Sequence, residues 1–426
     1  MSIASSPPPP RSSNPSDRSW LPLAADDPFG IATLPYGVFS TAEQPSRRVG
    51  VRIGDHMLDA GAAAERAGME SGACWLEPSL NAFLAHGPHA WAAAREWLDL
   101  VLTDEAYRDA VTPHLLPLAD VTLHLPVEVA DYVDFYASEH HATNVGRIFR
   151  PDSPALTPNW KHLPIGYHGR AGTVVVTGTD VVRPHGQRKA PTDPSPVFGP
   201  STRLDIEAEL GFVIGGATSQ GSSVDVDAAA EHLFGVVILN DWSARDLQAW
   251  ESVPLGPFLG KSFATSISAW VTPMAAFEAA RIDVPDQVDP TPLPYLTGAT
   301  PARGIDLHLE VRLNGCVIST PDAAALYWSP EQLVAHLTVN GASLRNGDLL
   351  GSGTISGPDS ATRGSLLELT WGGTEPLTLT DGSTRGFLED GDTVTMTAWA
   401  PGPGGARIGL GEVTGRIAAA GTTVPS

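Results

Sequence analysis

The sequence predicts a mainly β (α+β) fold, on three observations. Glycine and proline are abundant, at 43 and 38 of 426 residues, as many short strands joined by tight turns require. Strict alternation at Ile305, Leu307, Leu309, Val311 and Leu313, followed by Asn314-Gly315 and Cys316-Val317-Ile318, is the signature of a two-residue hairpin. No repeat of fixed period appears, which removes solenoids and propellers.

Read from the start, residues 1–20 are rich in Pro and Ser and form a flexible tail with nothing to bury. Residues 37–60 carry short apolar stretches such as Arg48-Val49-Gly50-Val51-Arg52-Ile53 between Gly-Asp turns and read as small strands. The period then becomes helical. Leu80, Phe83 and Leu84 precede a break at Gly87-Pro88, and Trp91, Ala94, Leu98, Val101 and Leu102 follow it, a helical pair closing a small β domain. Pro113, Pro117 and Pro126 place a boundary near residue 125, giving domains over 21–125 and 126–426. In the second, Ser329, Pro330 and Gln332 make a capping box for a helix through Leu333, Val334 and Leu337, ended by Asn340-Gly341.

Hydrophobic residues at 42% and charged residues at 17% supply a packed core and exclude wholesale disorder. The net charge of -22 would repel a phosphate backbone, so nucleic acid is not an expected partner. Cys74 and Cys316 form no ligand or redox motif and fit a reducing compartment. With no secretory signal and no apolar run of membrane-spanning length, a soluble cytoplasmic protein is expected.

Chemistry concentrates in a few places. In Leu204-Asp205-Ile206-Glu207-Ala208-Glu209-Leu210 a strand would put three carboxylates on one face. A hard cation would relieve their repulsion, although a solvated edge face explains this segment alone equally well. The apolar run Val236-Val237-Ile238-Leu239 reaches Asn240 and then Asp241, a carboxylate at a strand's end. Ser243 and Asp246 have capping-box spacing, and the helix they would start puts Arg245 and Gln248 one turn apart, facing a ligand or plain solvent. Asp134 and Tyr136 precede Glu139-His140-His141, of which at most one histidine can face a site as a base. The glycine-rich residues 351–357 lack a following lysine at P-loop spacing, so no nucleotide site is expected there. No G-x-S-x-G, H-E-x-x-H or dinucleotide fingerprint is present.

Six motifs in order, DYVDFYASEHHATNVGRIFR, NWKHLPIGYHGR, LDIEAELGF, NDWSARDLQAWE, PLGPFLGKSF and GSGTISGP, together with LPYGVFS and IGDHMLDA, resemble the fumarylacetoacetase family over most of the chain. The resemblance implies a small SH3-like N-terminal barrel, a large C-terminal β-roll and an obligate homodimer. It implies metal ligands Asp134, Glu207, Glu209 and Asp241, with Lys261 and Thr265 close to a Ca²⁺ or Mg²⁺ ion, an all-oxygen set as a hard cation requires. His141 is the implied base and Glu368 its orienting partner. Arg245, Gln248 and Lys261 match the donors around a tetrahedral oxyanion. Tyr136, Arg150 and Thr354, and also Tyr167, match substrate-contacting positions, Arg150 being suited to grip a carboxylate. Where the family commonly carries a tyrosine that helps hold the substrate, Ser252 stands here. The implied reaction is hydrolysis of a carbon-carbon bond in a 1,3-diketo acid, with the departing carbon leaving as an enolate. Another diketo-acid reaction of the same superfamily, such as acylpyruvate hydrolysis, isomerisation or decarboxylation, is the alternative.

Overall fold

A computed structural model of the chain describes residues 19–24, 26–67 and 72–421; the expected flexible tail lies, up to residue 18, outside them. Its backbone is a 13-stranded mixed sheet, a second sheet of five strands and short hairpins, with few helices. The β-rich reading with helices therefore holds.

The central strand, Leu233–Asp241, is buried along its whole length. Its alternate side chains serve two cores, Val236 and Ile238 in the larger one and Val237 and Leu239 in the other. This is why the segment reads as an unbroken apolar run: both faces are covered, so alternation has no solvent side to mark. Truncating one such side chain to alanine would cost about 2–5 kcal/mol.

The second core also holds the N-terminal elements, where Tyr36, Trp75, Phe83 and Phe234 meet in tilted and edge-on contacts. The helical pair is present as Asn81–Ala85 and Gly87–Thr103, and Ala94, Leu98, Val101 and Leu102 are its buried stripe. Gly87, at φ 75, makes the break, and a proline opens the longer helix. The strands Tyr36–Thr41, Arg48–Ile53 and His56–Asp59 do not form a separate closed barrel. Tyr36 and Gly37 pair with Val271 and Trp270, which makes these strands a continuation of the central sheet.

The predicted hairpin forms, with Leu313 opposite Cys316 and both Asn314 and Gly315 at positive φ, the backbone that a two-residue turn demands. Ser329 and Gln332 make the reciprocal capping bonds of helix Pro330–Thr338. The cap expected at Ser243 does not form: the helix runs over Arg245–Glu251, Ser243 donates to the Asp241 carbonyl, and Asp246 accepts from Ser201 and Thr202. Those bonds anchor the helix to the preceding loop in place of an N-cap. Among the described residues no helix is long and apolar enough to cross a membrane.

Candidate active site

Neighbouring strands of the central sheet bring their ends together at the site. Asp241 closes its strand opposite Thr265, Glu209 lies opposite Leu239, and Asp134 pairs with Gly351 across a parallel contact. Glu207 sits in the break between Leu204–Asp205 and Ala208–Ile214, its amide held by the Asn240 side chain. Asp205, Glu207 and Glu209 are all buried, so the solvated-face reading of this segment fails. Nor do the three lie on one continuous strand: it breaks at Ile206 and Glu207, and Asp205 is bound by Arg245 and the amides of Leu366 and Leu367.

Asp134, Glu207, Glu209 and Asp241 each offer an oxygen within 4.8 Å of the others. Asp134 Oδ1 and Glu209 Oε1 are buried without a hydrogen-bond partner among the described residues. Such orphaned acceptors are costly. Burial pushes Asp134 and Glu209 well above the usual carboxylate range; Lys261 opposes the shift, and the neighbouring carboxylates add to it. An all-oxygen, anionic, buried set with lone pairs to spare fits a hard divalent cation.

Two cations compensate part of this charge. Lys261 pairs with Glu207, and with Asp241 at 2.6 Å; Thr265 donates to the other oxygen of Asp241 at 2.8 Å. Burial works against the Lys261 charge, but Asp241 and Glu207 outweigh it and keep the amine ionised. Arg245 spans Asp205 and Glu207, each at 2.8 Å, and its Nη1 donates to Gln248 Oε1 at 3.1 Å. The expected one-turn relation of Arg245 and Gln248 is thus present. Arg245 Nη2 remains a buried donor without a partner among the described residues.

Close enough to the cluster for its charge to act on Glu207, His141 lies on helix Glu139–Phe149, which begins at Ser138, whose hydroxyl accepts from the His141 amide. His141 is buried and His140 only partly so, so one histidine of the pair faces inward. His141 Nδ1 meets Glu368 Oε2 at 2.6 Å, and Asn144, Ser356 and Ser365 complete the carboxylate's hydrogen bonds at 2.8–2.9 Å. Burial pushes Glu368 up, yet His141 and these donors hold it below the usual range. An ionised acceptor on Nδ1 keeps the proton there and leaves Nε2 as the basic nitrogen.

Tyr136 meets the His141 ring edge-on, 5.3 Å between centroids, and burial with the Glu368 and Glu207 charges keeps its phenol protonated. The Thr354 hydroxyl is buried without a partner among the described residues, and the buried Tyr167 phenol lies against the carboxylate of Asp134, its cross-strand neighbour. Two expected contacts point elsewhere. Arg150 is exposed and donates to the Ala155 carbonyl, and the Ser252 hydroxyl donates to the Gln248 carbonyl at 2.5 Å. The glycine-rich stretch, set aside as a nucleotide site, lines the centre instead: Gly353, at φ 75, donates its amide to Glu209, and an added Cβ would lie 2.2 Å from the Phe135 carbonyl. Asn144, Ser356 and Ser365 were not singled out from sequence; Asn144 carried a signal, three residues after His141 on one helix face, and so did Ser365, three residues before Glu368 at capping-box spacing.

Family profiles match this chain in two parts, "Fumarylacetoacetase N-terminal" over residues 32–126 and "Fumarylacetoacetate (FAA) hydrolase C-terminal" over residues 131–418. Fumarylacetoacetases of Arabidopsis thaliana and Homo sapiens are each 45% identical over 417 residues, covering 94% of this chain and 98% of theirs. The fumarylacetoacetase of Caenorhabditis elegans is 44% identical over 418 residues, 94% of this chain and 99% of its own. Two solved structures share the fold. A fumarylacetoacetate hydrolase from Exiguobacterium antarcticum has a TM-score of 0.53 at 17% identity, over 91% of this chain and 99% of that one. A 5-carboxymethyl-2-hydroxymuconate delta-isomerase from Mycobacterium smegmatis has a TM-score of 0.50 at 17% identity, over 91% and 100%. The two profiles, the near full-length identity and the shared fold agree: the chain belongs to the fumarylacetoacetase family.

Proposed function

We infer that this chain hydrolyses the carbon-carbon bond of 4-fumarylacetoacetate to fumarate and acetoacetate, the last step of tyrosine and phenylalanine catabolism. The observation that carries the reading is the His141–Glu368 pair at 2.6 Å facing an acidic cluster compensated by Lys261 and Arg245, in a chain 45% identical to fumarylacetoacetases along nearly its whole length.

His141, oriented through Nδ1 by Glu368, takes a proton from water at Nε2, and the resulting hydroxide attacks the carbonyl carbon beside the bond to be broken. The buried Arg245 Nη2, with Gln248 and Lys261, donates to the oxyanion that forms there. The carbon-carbon bond then breaks, its electron pair passes to the departing acetoacetate unit, and the proton held by His141 is available to quench that carbon. Asp134, Glu207, Glu209 and Asp241 would hold a divalent cation, Mg²⁺ or Ca²⁺, beside Lys261 and Thr265. When bound it supplies Lewis acidity toward the oxygens of a 1,3-diketone. Tyr136, Thr354 and Tyr167 offer hydroxyls toward the substrate, and Arg150 a charge for its far carboxylate once released from Ala155.

An N-terminal unit over 21–125 of SH3-like character and a C-terminal β-roll over 126–426 belong to the same reading. So does a homodimer, supported by the apolar loop at Val253, Leu255 and Phe258, exposed by 86%, 97% and 68%. A reducing cytoplasm belongs to the same reading, since Cys74 and Cys316 form no ligand or redox motif in the sequence.

The test is loss of diketone absorbance when the purified protein and Mg²⁺ or Ca²⁺ meet fumarylacetoacetate, beside His141→Ala and an acylpyruvate control. Absence of metal-dependent loss overturns the reading, and faster cleavage of acylpyruvate reassigns the substrate.

A further inference from the structure

Asp205 has no place in the chemistry above, yet it is among the most deeply held groups in the molecule. Its side chain is fully buried. Oδ2 accepts from Arg245 Nε at 2.8 Å and from the Leu367 amide at 3.0 Å; Oδ1 accepts from the amides of Leu366 and Ile206, each at 2.7 Å. Leu366 and Leu367 open the four-residue helix Leu366–Leu369, which carries Glu368. One carboxylate therefore grips both the guanidinium beside the acidic cluster and the backbone that aims the partner of His141.

A helix this short has little stability of its own, since nucleation fixes more dihedrals than its hydrogen bonds repay. Its first amides need an outside acceptor. Arg245 has a second carboxylate within reach, Glu207 at 2.8 Å, so a weaker hold at Asp205 would let the guanidinium shift toward the cluster and lose its aim.

Building on the hydrolytic reading of this site, we propose that Asp205 is a positioning residue that locks the oxyanion donor Arg245 and the Glu368 helix into one fixed geometry. It touches no reacting atom. Its effect passes through Arg245 on one side and through Glu368 to His141 on the other. An asparagine here keeps the shape but must turn its NH2 either toward the Leu366 and Ile206 amides or toward Arg245 and the Leu367 amide, so in both orientations an amide of the Glu368 helix loses its acceptor while the fold is retained.

The experiment uses Asp205→Asn and Asp205→Ala in the full chain. It reads kcat and KM for fumarylacetoacetate, Ca²⁺ affinity by calorimetry, and hydrogen exchange of the peptide covering residues 365–370. For Asp205→Asn, kcat falls about 30- to 100-fold while KM and Ca²⁺ affinity stay within about threefold, and the peptide exchanges faster than in the wild type. If Asp205→Ala fails to fold, Asp205→Asn carries the test. A folded Asp205→Asn with kcat within about threefold of wild type overturns the proposal. So does a loss of kcat matched by an equal loss of Ca²⁺ affinity, which marks a general collapse of the site. A wild type inactive on fumarylacetoacetate overturns the functional reading instead, and the exchange measurement, which needs no substrate, then decides whether Asp205 holds the helix: unchanged exchange in Asp205→Asn overturns the link.

Discussion

Glu368 and His141 meet at 2.6 Å, Oε2 to Nδ1, with both side chains almost wholly excluded from water. Three further donors converge on that carboxylate, so neither partner has freedom to turn. His141→Ala removes the base and is expected to lower kcat by about 10²–10⁴-fold. Glu368→Gln keeps the shape and loses the charge, leaving the tautomer unset, with an expected loss in kcat of up to about 10⁴-fold and KM within about threefold. Steady-state kinetics on the two variants checks both numbers.

Glu209→Gln separates cation binding from folding. Burial and the charges of Asp134, Glu207 and Asp241 disfavour an ionised Glu209. A neutral amide relieves that repulsion, and its oxygen still accepts from Gly353. In chelator the variant is expected to unfold about 2–4 °C above the wild type. Excess Mg²⁺ or Ca²⁺ should stabilise the wild type, by about 2.7 kcal/mol at a hundredfold excess over Kd, and leave the variant unmoved. Thermal unfolding with and without the ion reads both effects.

The parts of the site that were legible in the sequence are those set by local periodicity. Asp241 could be picked out because a doubly covered strand stays apolar until it ends, and Arg245 and Gln248 because a helix repeats every turn. Residues 204–210 misled, since perfect alternation hides the break after Asp205: Asp205 is bound to Arg245 and the amides of Leu366 and Leu367, Glu207 is shared between Arg245 and the cluster, and Glu209 lies in the cluster. The Leu366 and Leu367 amides that bind Asp205 at the break belong to the helix at residue 366, more than 150 residues on, and no window of sequence contains both. Ser365 stands three residues before Glu368 at capping-box spacing and caps its short helix, a local signal, whereas nothing beside Ser356 in sequence indicates that Glu368 lies within reach. In the N-terminal strands the pattern gave the elements but not their pairing to Trp270 and Val271, which joins them to the central sheet.

Asp348 links stability to pH away from the chemistry. It is 4% exposed, and burial, opposed by the Arg345 amide and charge, raises its carboxyl to about 6. A raised folded value means that the folded state holds the proton more tightly than the unfolded chain. The stabilisation is full below about pH 3.9 and is lost as pH rises through about 6. Asp348→Asn has no proton to lose, so its stability relative to wild type should grow between pH 4 and pH 7, by of order 2 kcal/mol. Urea midpoints of both proteins across that range check the sign, and a constant difference would remove Asp348 as the titrating group.

Ser252 tests how the far end of the substrate is held. It closes helix Arg245–Glu251, and its hydroxyl is committed to the Gln248 carbonyl at 2.5 Å. A serine so placed offers little to a carboxylate in the cleft, whereas a tyrosine would carry a hydroxyl well beyond the helix end. Losing the serine's bond should cost about 0.5–1.5 kcal/mol of stability, because the last turn is partly exposed and water can replace it. Ser252→Tyr is expected to lower KM for fumarylacetoacetate about 5- to 10-fold, one added hydrogen bond to a charged group, with kcat within about twofold. In the proposed mechanism Arg245, Gln248 and Lys261 act at the reacting carbon, and the substitution replaces none of them, so a gain confined to KM is the signature of a contact made equally in ground and transition states. An unchanged KM would instead leave the far carboxylate to Arg150, whose guanidinium must then release the Ala155 carbonyl to reach it.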